Sequence, residues 1–235
     1  MTKIVLDYGH GEGKAFNRGG VFFNEGDNDY EFGKLLKAEL EKYEDIKVFE
    51  TRATKSSNPS LSARASMFNK EHPNLFISIH SNAYNSRVSG VEAFYRSSNP
   101  NTSNTLLKRM VDKTVDVLGI RNRGVKDYPF GVLGNGNNAK VKMLIEMFFH
   151  DNIADSKKYL KNKKTLAEQY AKVIADYYSK KKKSVSIPTT DKDKTQRLYR
   201  VSVGAFANRS NAETLMKNLK AKGFSPYVTL EDINL

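Results

Sequence analysis

The sequence contains no cysteine among its 235 residues. This absence excludes disulfides, thiolate metal sites and a cysteine nucleophile, so a metal ion would have to bind histidine or carboxylate side chains. Long hydrophobic runs are also missing, and no stretch approaches the roughly 18 consecutive apolar residues that a membrane span needs. An acidic residue, Asp7, stands where a secretory signal would carry its apolar segment. The sequence therefore predicts a protein with no membrane span, made in the cytoplasm without a signal peptide.

The composition supports a folded core and carries an excess of positive charge. Hydrophobic residues make up 39% of the chain and aromatic residues 11%, which is enough for one domain with a small appendage. The net charge of +13 implies an anionic partner. No aromatic residues interleave with the lysine run at 180–183, which argues against specific nucleic-acid recognition. That run is more typical of a solvated helix end leading into a linker.

Residues 184–194 have no periodicity and contain Pro188 with several serines and threonines, which indicates a linker at about 181–195. It separates a large domain, 1–180, from a small one, 196–235. In the large domain, apolar segments of strand length alternate with helical patterns, which predicts an α/β fold with a twisted central β-sheet flanked by helices. The predicted strands are 3–7, 46–50, 75–79, 91–95 and 142–147, and the predicted helices are 29–43, 61–71, 103–118 and 165–179.

The small domain reads as one β-α-β unit. Residues 198–206 alternate at period two, as in a strand, and 226–230 form a second short strand. Between them, Ser210 and Glu213 have the spacing of a capping box, and Gly223 is placed to end the helix. Only about 40 residues carry this unit, so it would have little stability alone.

Two histidines follow predicted strands directly. His10 lies on a glycine-rich turn after strand 3–7, and His80 follows strand 75–79. Open α/β sheets place ligand-binding groups at the carboxyl ends of their strands, so both imidazoles are expected at one rim. A hydrolytic zinc site needs a third protein ligand, for which Glu25 is the best candidate. The alternative is that Glu25 is an ordinary acidic residue at a helix N-terminus.

A further carboxylate, Glu146, lies inside the otherwise apolar segment 143–149. Burying a charge there is costly unless it is paired or faces metal-bound water, so Glu146 is a candidate catalytic residue. A buried pairing with an arginine is the structural alternative. The remaining histidines, His72 and His150, are predicted to be surface residues.

Five segments together resemble the zinc-dependent N-acetylmuramoyl-L-alanine amidases of the amidase-3 type, over residues 1 to about 180. They are 7–11, 24–26, 78–82, 122–126 and 144–146, and they occur in that family's order and spacing. Tyr8 departs from the pattern, since the family commonly has proline there. The resemblance implies that His10, Glu25 and His80 bind Zn²⁺ and that Glu146 is the catalytic carboxylate. It also implies substrate-binding roles for Asn82 and Arg123.

The tail resembles half of a SPOR-type peptidoglycan-binding domain, which normally has two such repeats. Together the resemblances imply hydrolysis of the amide between N-acetylmuramic acid and L-Ala in bacterial peptidoglycan, with anionic wall polymers attracting the basic chain. Such an enzyme would reach the wall through lysis or a holin-type pore, as a phage endolysin or a mother-cell autolysin does. The alternatives are a zinc peptidase of related fold and a non-catalytic wall-binding protein. The oligomeric state is left open.

Overall fold

The computed structural model describes residues 1–13, 20–98, 104–134, 136–183, 206, 208–224 and 226–227. The chain divides into two compact units, Met1–Val185 and Ser186–Leu235. Most of the predicted linker lies outside the described residues. Among the described helices, none is both long enough and apolar enough to cross a membrane.

The first unit is built on one six-stranded sheet. Its strands are β1 (Thr2–Tyr8), β2 (Ile46–Glu50), β3 (Leu75–Asn82), β4 (Val91–Tyr95), β5 (Asn122–Asp127) and β6 (Val141–Phe149). They lie in the order β2-β1-β3-β6-β4-β5, and every pair is parallel except β4 with β6. The α/β class and the five predicted strands are confirmed. β5 was not predicted, because its sequence is mostly polar and half-exposed at the sheet edge.

Four helices flank the sheet: α1 (Glu25–Leu40), α2 (Leu61–Ser66), α3 (Asn104–Leu118) and α4 (Ile153–Tyr177). α1 begins four residues before its predicted start, because the side chain of Asn24 accepts a hydrogen bond from the Gly26 N–H and caps the helix there. The predicted helix 61–71 is shorter than expected, since α2 ends at Ser66 and a separate 3₁₀ turn follows at Asn69–Glu71.

The predicted start of the last helix at residue 165 is wrong. α4 begins at Ile153, because the Asn152 side chain accepts hydrogen bonds from the N–H groups of Ala154 and Asp155. The lysines between 157 and 164 therefore lie on α4. The chain after α4 packs back onto the unit, where Lys182 forms an antiparallel β-bridge with Tyr43.

The two faces of the sheet are covered unequally. α1, α3 and α4 bury the main core, which includes Ile4, Ile77 and Ile145. The opposite face carries a smaller core around Val5, Phe76 and Leu144, closed by α2 and the 3₁₀ turn Gly131–Leu133. Since side chains alternate along a strand, Asp7, Ser78 and Glu146 continue this second face toward the carboxyl ends of β1, β3 and β6. The thinly covered face therefore changes from apolar to polar along the strands.

In the second unit the structure describes one helix, α5 (Arg209–Ala221). Its N-cap is Asn208, whose side chain accepts from the Ser210 N–H, so the predicted capping box on Ser210 is wrong. Gly223 ends the helix at a φ of 85°, as predicted. The predicted strands at 198–206 and 226–230 fall almost entirely outside the described residues.

The packing of α1 on β1 requires glycine at position 33. A Cβ there would lie 2.0 Å from Cε1 of the fully buried Tyr8 ring, whose hydroxyl is held by Glu50. We expect Gly33→Ala to lower the free energy of unfolding by about 1–3 kcal/mol, because overpacking outweighs the gain in helix propensity of about 1 kcal/mol. Urea unfolding measures the change. Gly131→Ala is the matched control, because its Cβ would meet only Leu61, at 3.7 Å. Equal stability of Gly33→Ala and wild type would contradict the packing argument.

Candidate active site

The ends of β1 and β3 and the start of α1 bring three metal-ligating side chains together. His10 follows β1, His80 lies near the carboxyl end of β3, and Glu25 is the first residue of α1. Glu25 Oε1 lies 3.4 Å from His10 Nε2 and 3.2 Å from His80 Nδ1. One ligand atom from each of the three residues lies within 4.8 Å of the others. The structure thus places the three predicted ligands at one point of the sheet rim.

Glycines permit this close approach. A Cβ at Gly9 would lie 2.5 Å from His80 Cε1 and 2.5 Å from an oxygen of Asp29, and one at Gly26 would lie 2.1 Å from the carbonyl oxygen of Gly11. Neither position has room for a side chain. The turn after β1 can therefore lie directly against β3 and α1 only with glycine at these positions.

The Glu25 carboxyl is buried, with 6% of the residue exposed, yet its environment favours the charged form. Burial raises its pKa, but the neighbouring imidazoles of His10 and His80 outweigh burial and lower the pKa to about 2. The Ser81 N–H also donates to Oε1, at 3.2 Å. Glu25 is thus held as a carboxylate, the form that binds a metal.

The spacing of these groups fits a zinc ion. Ligands at the usual zinc bond lengths in a tetrahedral site lie roughly 3.3 Å apart, close to the two separations measured from Glu25. Two imidazoles and one carboxylate are a donor set found in catalytic zinc sites, where the fourth position is open.

A buried relay determines which nitrogen of His80 faces Glu25. The Ser78 hydroxyl donates to Asp7 Oδ2 at 2.6 Å, so it can only accept a hydrogen bond from His80 Nε2, 3.2 Å away. The Nε2–H tautomer leaves the lone pair of Nδ1 pointing toward Glu25. Asp7 and Ser78 therefore position His80 for binding through Nδ1.

The Asp7 carboxylate is in turn tied to two other elements. Its Oδ1 accepts from Thr51 Oγ1 at 2.5 Å and from Arg64 Nη1 at 2.8 Å. The Arg64 guanidinium also donates to the carbonyls of Tyr8 and His10. One arginine on α2 thus balances the buried charge and fixes the turn that carries His10.

Glu146 lies on β6, in register with His80 on β3 and with Glu92 on β4. Its Oε2 is buried, with no hydrogen-bond partner among the described residues. Burial is the main cause that raises its pKa, to about 8, with His80 opposing the shift and Glu25 and Glu92 adding to it. The alternative of a pairing with arginine is not seen in the described part of the chain, where every arginine ion pair involves another acid.

The four residues border a cleft with two adjoining cavities. The first, about 340 Å³, is lined by His10, Glu25, His80 and Glu146 together with Asn82, Phe130 and His150. The second, about 380 Å³, lies toward Asp7 and Arg64. Both cavities include His10, His80, Leu61 and Val132 in their walls. Each volume is within the range of small-molecule sites. Because His10 and His80 line both cavities, a substrate can extend to either side of the candidate ligands.

The two residues implied as substrate-binding have different surroundings. Asn82 lines the first cavity, and its Nδ2 donates to Glu92 Oε1 at 2.8 Å. Arg123 is not among the residues that line either cavity; its Nε donates to Glu92 Oε2 at 3.1 Å, and its guanidinium lies 5.0 Å from the centre of the Phe149 ring. Glu92 therefore connects the two, and direct substrate contact by Arg123 stays a prediction.

The prediction that His150 is a surface residue is wrong, whereas His72 is exposed as expected. Only 1% of His150 is exposed; β6 extends two residues beyond its predicted end, the His150 N–H donates to the Asn82 carbonyl, and the His150 carbonyl accepts from Ser156 Oγ of α4. Its Nδ1 lies 3.0 Å from the Ser81 carbonyl oxygen. The contacts of Asp7 and Ser78 with the site were not predicted, although Ser78 lies on the same strand face as His80, two residues before it.

Comparison of the chain with known protein families agrees with this architecture. The family model described as N-acetylmuramoyl-L-alanine amidase matches residues 4–176, which include all four site residues. The chain belongs to this family. A model of the SPOR domain matches residues 160–230, beginning within α4.

Individual relatives show the same likeness. The chain is 28% identical over 235 residues to the sporulation-specific N-acetylmuramoyl-L-alanine amidase of Bacillus subtilis, covering 99% of this chain and 86% of that protein. It is 27% identical over 235 residues to the N-acetylmuramoyl-L-alanine amidase CwlM of Bacillus licheniformis, with the same coverage. The crystal structure of an N-acetylmuramoyl-L-alanine amidase from Clostridium difficile 630 is similar with a TM-score of 0.69 and 27% identity, over 76% of this chain and 97% of that one.

Breaking the Asp7–Arg64 pair should destabilise the unit strongly. Both side chains are almost fully buried, so Arg64→Met leaves an uncompensated charge and should lower the free energy of unfolding by about 3–5 kcal/mol. Adding Asp7→Asn removes that charge, so the double variant should be more stable than the sum of the single effects predicts. Urea unfolding of the four proteins measures the coupling. Strictly additive losses would show that the two side chains do not depend on each other.

Proposed function

We propose that this protein is a zinc-dependent N-acetylmuramoyl-L-alanine amidase that hydrolyses the amide between N-acetylmuramic acid and the L-Ala of the stem peptide in bacterial peptidoglycan. The proposal rests above all on one observation. A His10, Glu25 and His80 donor set and the unpartnered carboxyl of Glu146 border one cleft in a chain of this amidase family.

Zinc bound by the three ligands would supply Lewis-acid activation of water and of the scissile carbonyl. The protein side chains account for the proton transfers. Glu146 accepts a proton from the attacking water as the new C–O bond forms at the lactyl carbonyl carbon. It then donates that proton to the L-Ala nitrogen as the C–N bond breaks, because the amine leaves only when protonated. The relay through Ser78 keeps His80 in its binding tautomer throughout.

Glu146 is suited to this exchange because its two forms are closely balanced. Burial, Glu25 and Glu92 favour the protonated form and raise the pKa, whereas His80 favours the carboxylate. A group with a pKa near the working pH can both accept and return a proton efficiently.

The net charge of +13 supports an anionic wall as the place of action. Nonspecific attraction to anionic wall polymers would raise the local enzyme concentration and weaken with salt. The SPOR match over residues 160–230, which includes most of the second unit, supports peptidoglycan binding by the tail. Release to the wall by lysis or through a holin-type pore belongs to the same proposal.

Product analysis distinguishes this function from that of a zinc peptidase. Digestion of purified sacculi should release peptides with a free L-Ala amino group and leave glycan strands with an intact lactyl carboxylate. Mass spectrometry identifies both products, and Glu146→Gln is the inactive control. Cleavage inside the peptide would favour the peptidase alternative, and no cleavage by wild type would favour a purely wall-binding protein.

Metal analysis separates the ligands from the general base. Wild type should contain about one zinc per chain, and His80→Ala should lose it, because two ligands hold the ion too weakly. Glu146→Gln should keep the zinc while turnover falls by about 10²-fold or more. His72→Ala, which changes an exposed histidine before the amino end of β3, opposite to the end that carries His80, should keep both. Elemental analysis beside the activity assay checks this. Full zinc content in His80→Ala would refute the ligand assignment, and zinc loss in Glu146→Gln would make Glu146 a ligand.

A further inference from the structure

Three aromatic side chains cluster beside the first cavity: Phe94 on β4, and Tyr128 and Phe130 in the chain after β5. The ring centroids of Tyr128 and Phe130 are 4.6 Å apart, and those of Phe94 and Phe130 are 5.1 Å apart. Phe130 lines the cavity, while Tyr128 is 52% exposed. We call Phe94, Tyr128 and Phe130 the aromatic rim.

The aromatic rim is fixed to the sheet. The Tyr128 N–H donates to the Tyr95 carbonyl at 2.9 Å, which extends the pairing of β5 with β4 by one residue. Phe94 and Phe130 also pack on the second core. The rings are therefore held in place before any ligand arrives, which lowers the entropic cost of binding.

Apolar surface continues across the mouth of the cavity. Leu61, at the start of α2, is 63% exposed and contributes to the walls of both cavities. Its Cδ1 is 3.7 Å from the position of a Cβ on Gly131, which follows Phe130. An exposed apolar border next to polar catalytic groups is typical of a ligand-binding cleft.

The chemistry of the substrate indicates which part meets this border. On the peptide side of the scissile amide, the residue after L-Ala carries a carboxylate, and the negative face of an aromatic ring repels an anion. On the other side lie the lactyl group and a pyranose ring, one face of which presents only C–H groups. Such a face packs on aromatic side chains and uses no charge.

We infer that the aromatic rim is a sugar subsite that holds a pyranose ring of the glycan strand, on the carbonyl side of the bond to be cut. This inference rests on the proposed function, since it specifies how the same cleft orients its substrate. The stem peptide then leaves the cleft away from Tyr128.

Kinetics with two soluble substrates test the subsite. One is a GlcNAc–MurNAc disaccharide bearing the stem peptide; the other is the same peptide carrying only a lactoyl group. Tyr128→Ala should raise KM for the first by about tenfold with little change in kcat, which corresponds to the roughly 1.4 kcal/mol of one ring contact. Its effect on the lactoyl peptide should be at least fivefold smaller. Tyr128→Phe, which keeps the ring, should restore the disaccharide KM. Leu160→Ala, at an exposed apolar residue of α4, is the matched control.

Equal losses on both substrates, or no loss on either, would overturn the subsite. Binding of the free GlcNAc–MurNAc disaccharide, measured by saturation-transfer NMR, tests the subsite independently of catalysis. Sugar C–H protons should receive saturation from wild type, Tyr128→Phe and Leu160→Ala, and much less from Tyr128→Ala. No transfer from wild type would also overturn the subsite. Wild type that binds the sugar but cleaves neither substrate would instead refute the proposed function while the subsite stands.

Discussion

The buried carboxylate of Asp7 is the charge on which the rest of the site depends. It accepts hydrogen bonds from β3 through Ser78, from the chain after β2 through Thr51 and from α2 through Arg64. An unpaired charge at this depth would be prohibitively costly, so these elements must come together for the unit to be stable. The same contacts fix the two histidines, since Ser78 orients the His80 ring and Arg64 holds the turn that carries His10. The contacts that stabilise the sheet are therefore the same contacts that set the geometry of the site.

The unequal covering of the sheet explains where the cleft lies. Three long helices seal one face, whereas in the described part of the chain α2 and the turn after Phe130 cover the other, and the cleft lies between α2 and that turn. Toward the amino ends of the strands this second face is apolar and filled. Toward the carboxyl ends the side chains become Asp7, Ser78, His80 and Glu146, which cannot pack as an apolar core. The cavities remain where the change occurs, so the local loss of packing is the origin of the binding site.

The sequence predicts the parts of this arrangement that depend on neighbouring residues or on general rules of sheets. The apolar segments correctly predicted five strands. Because parallel strands end at one rim of the sheet, His10 and His80 were expected to lie together there, as they do. The relay to His80 was not predictable in the same way, because it depends on the register of β1 against β3 and on an arginine 57 residues from Asp7. β5 was missed because edge strands need few apolar residues. His150 was misplaced because it follows a strand longer than predicted and is hydrogen-bonded to Ser156 of α4, a helix that was predicted to begin later.

Glu25 and Glu146 show how one cleft can give two identical side chains different chemistry. Glu25 is buried and Glu146 is half-buried with a buried Oε2, and desolvation alone would raise the pKa of each. The neighbouring imidazoles of His10 and His80 and the Ser81 N–H, which donates to Glu25, more than cancel the cost of burying its charge. Glu146 has an oxygen with no partner among the described residues, so burial dominates and its pKa rises to about 8. A permanently charged carboxylate is suited to hold a cation, and one that gains and loses a proton near neutral pH is suited to transfer it. The roles proposed for Glu25 as ligand and for Glu146 as general base therefore match the different surroundings of the two carboxyl groups.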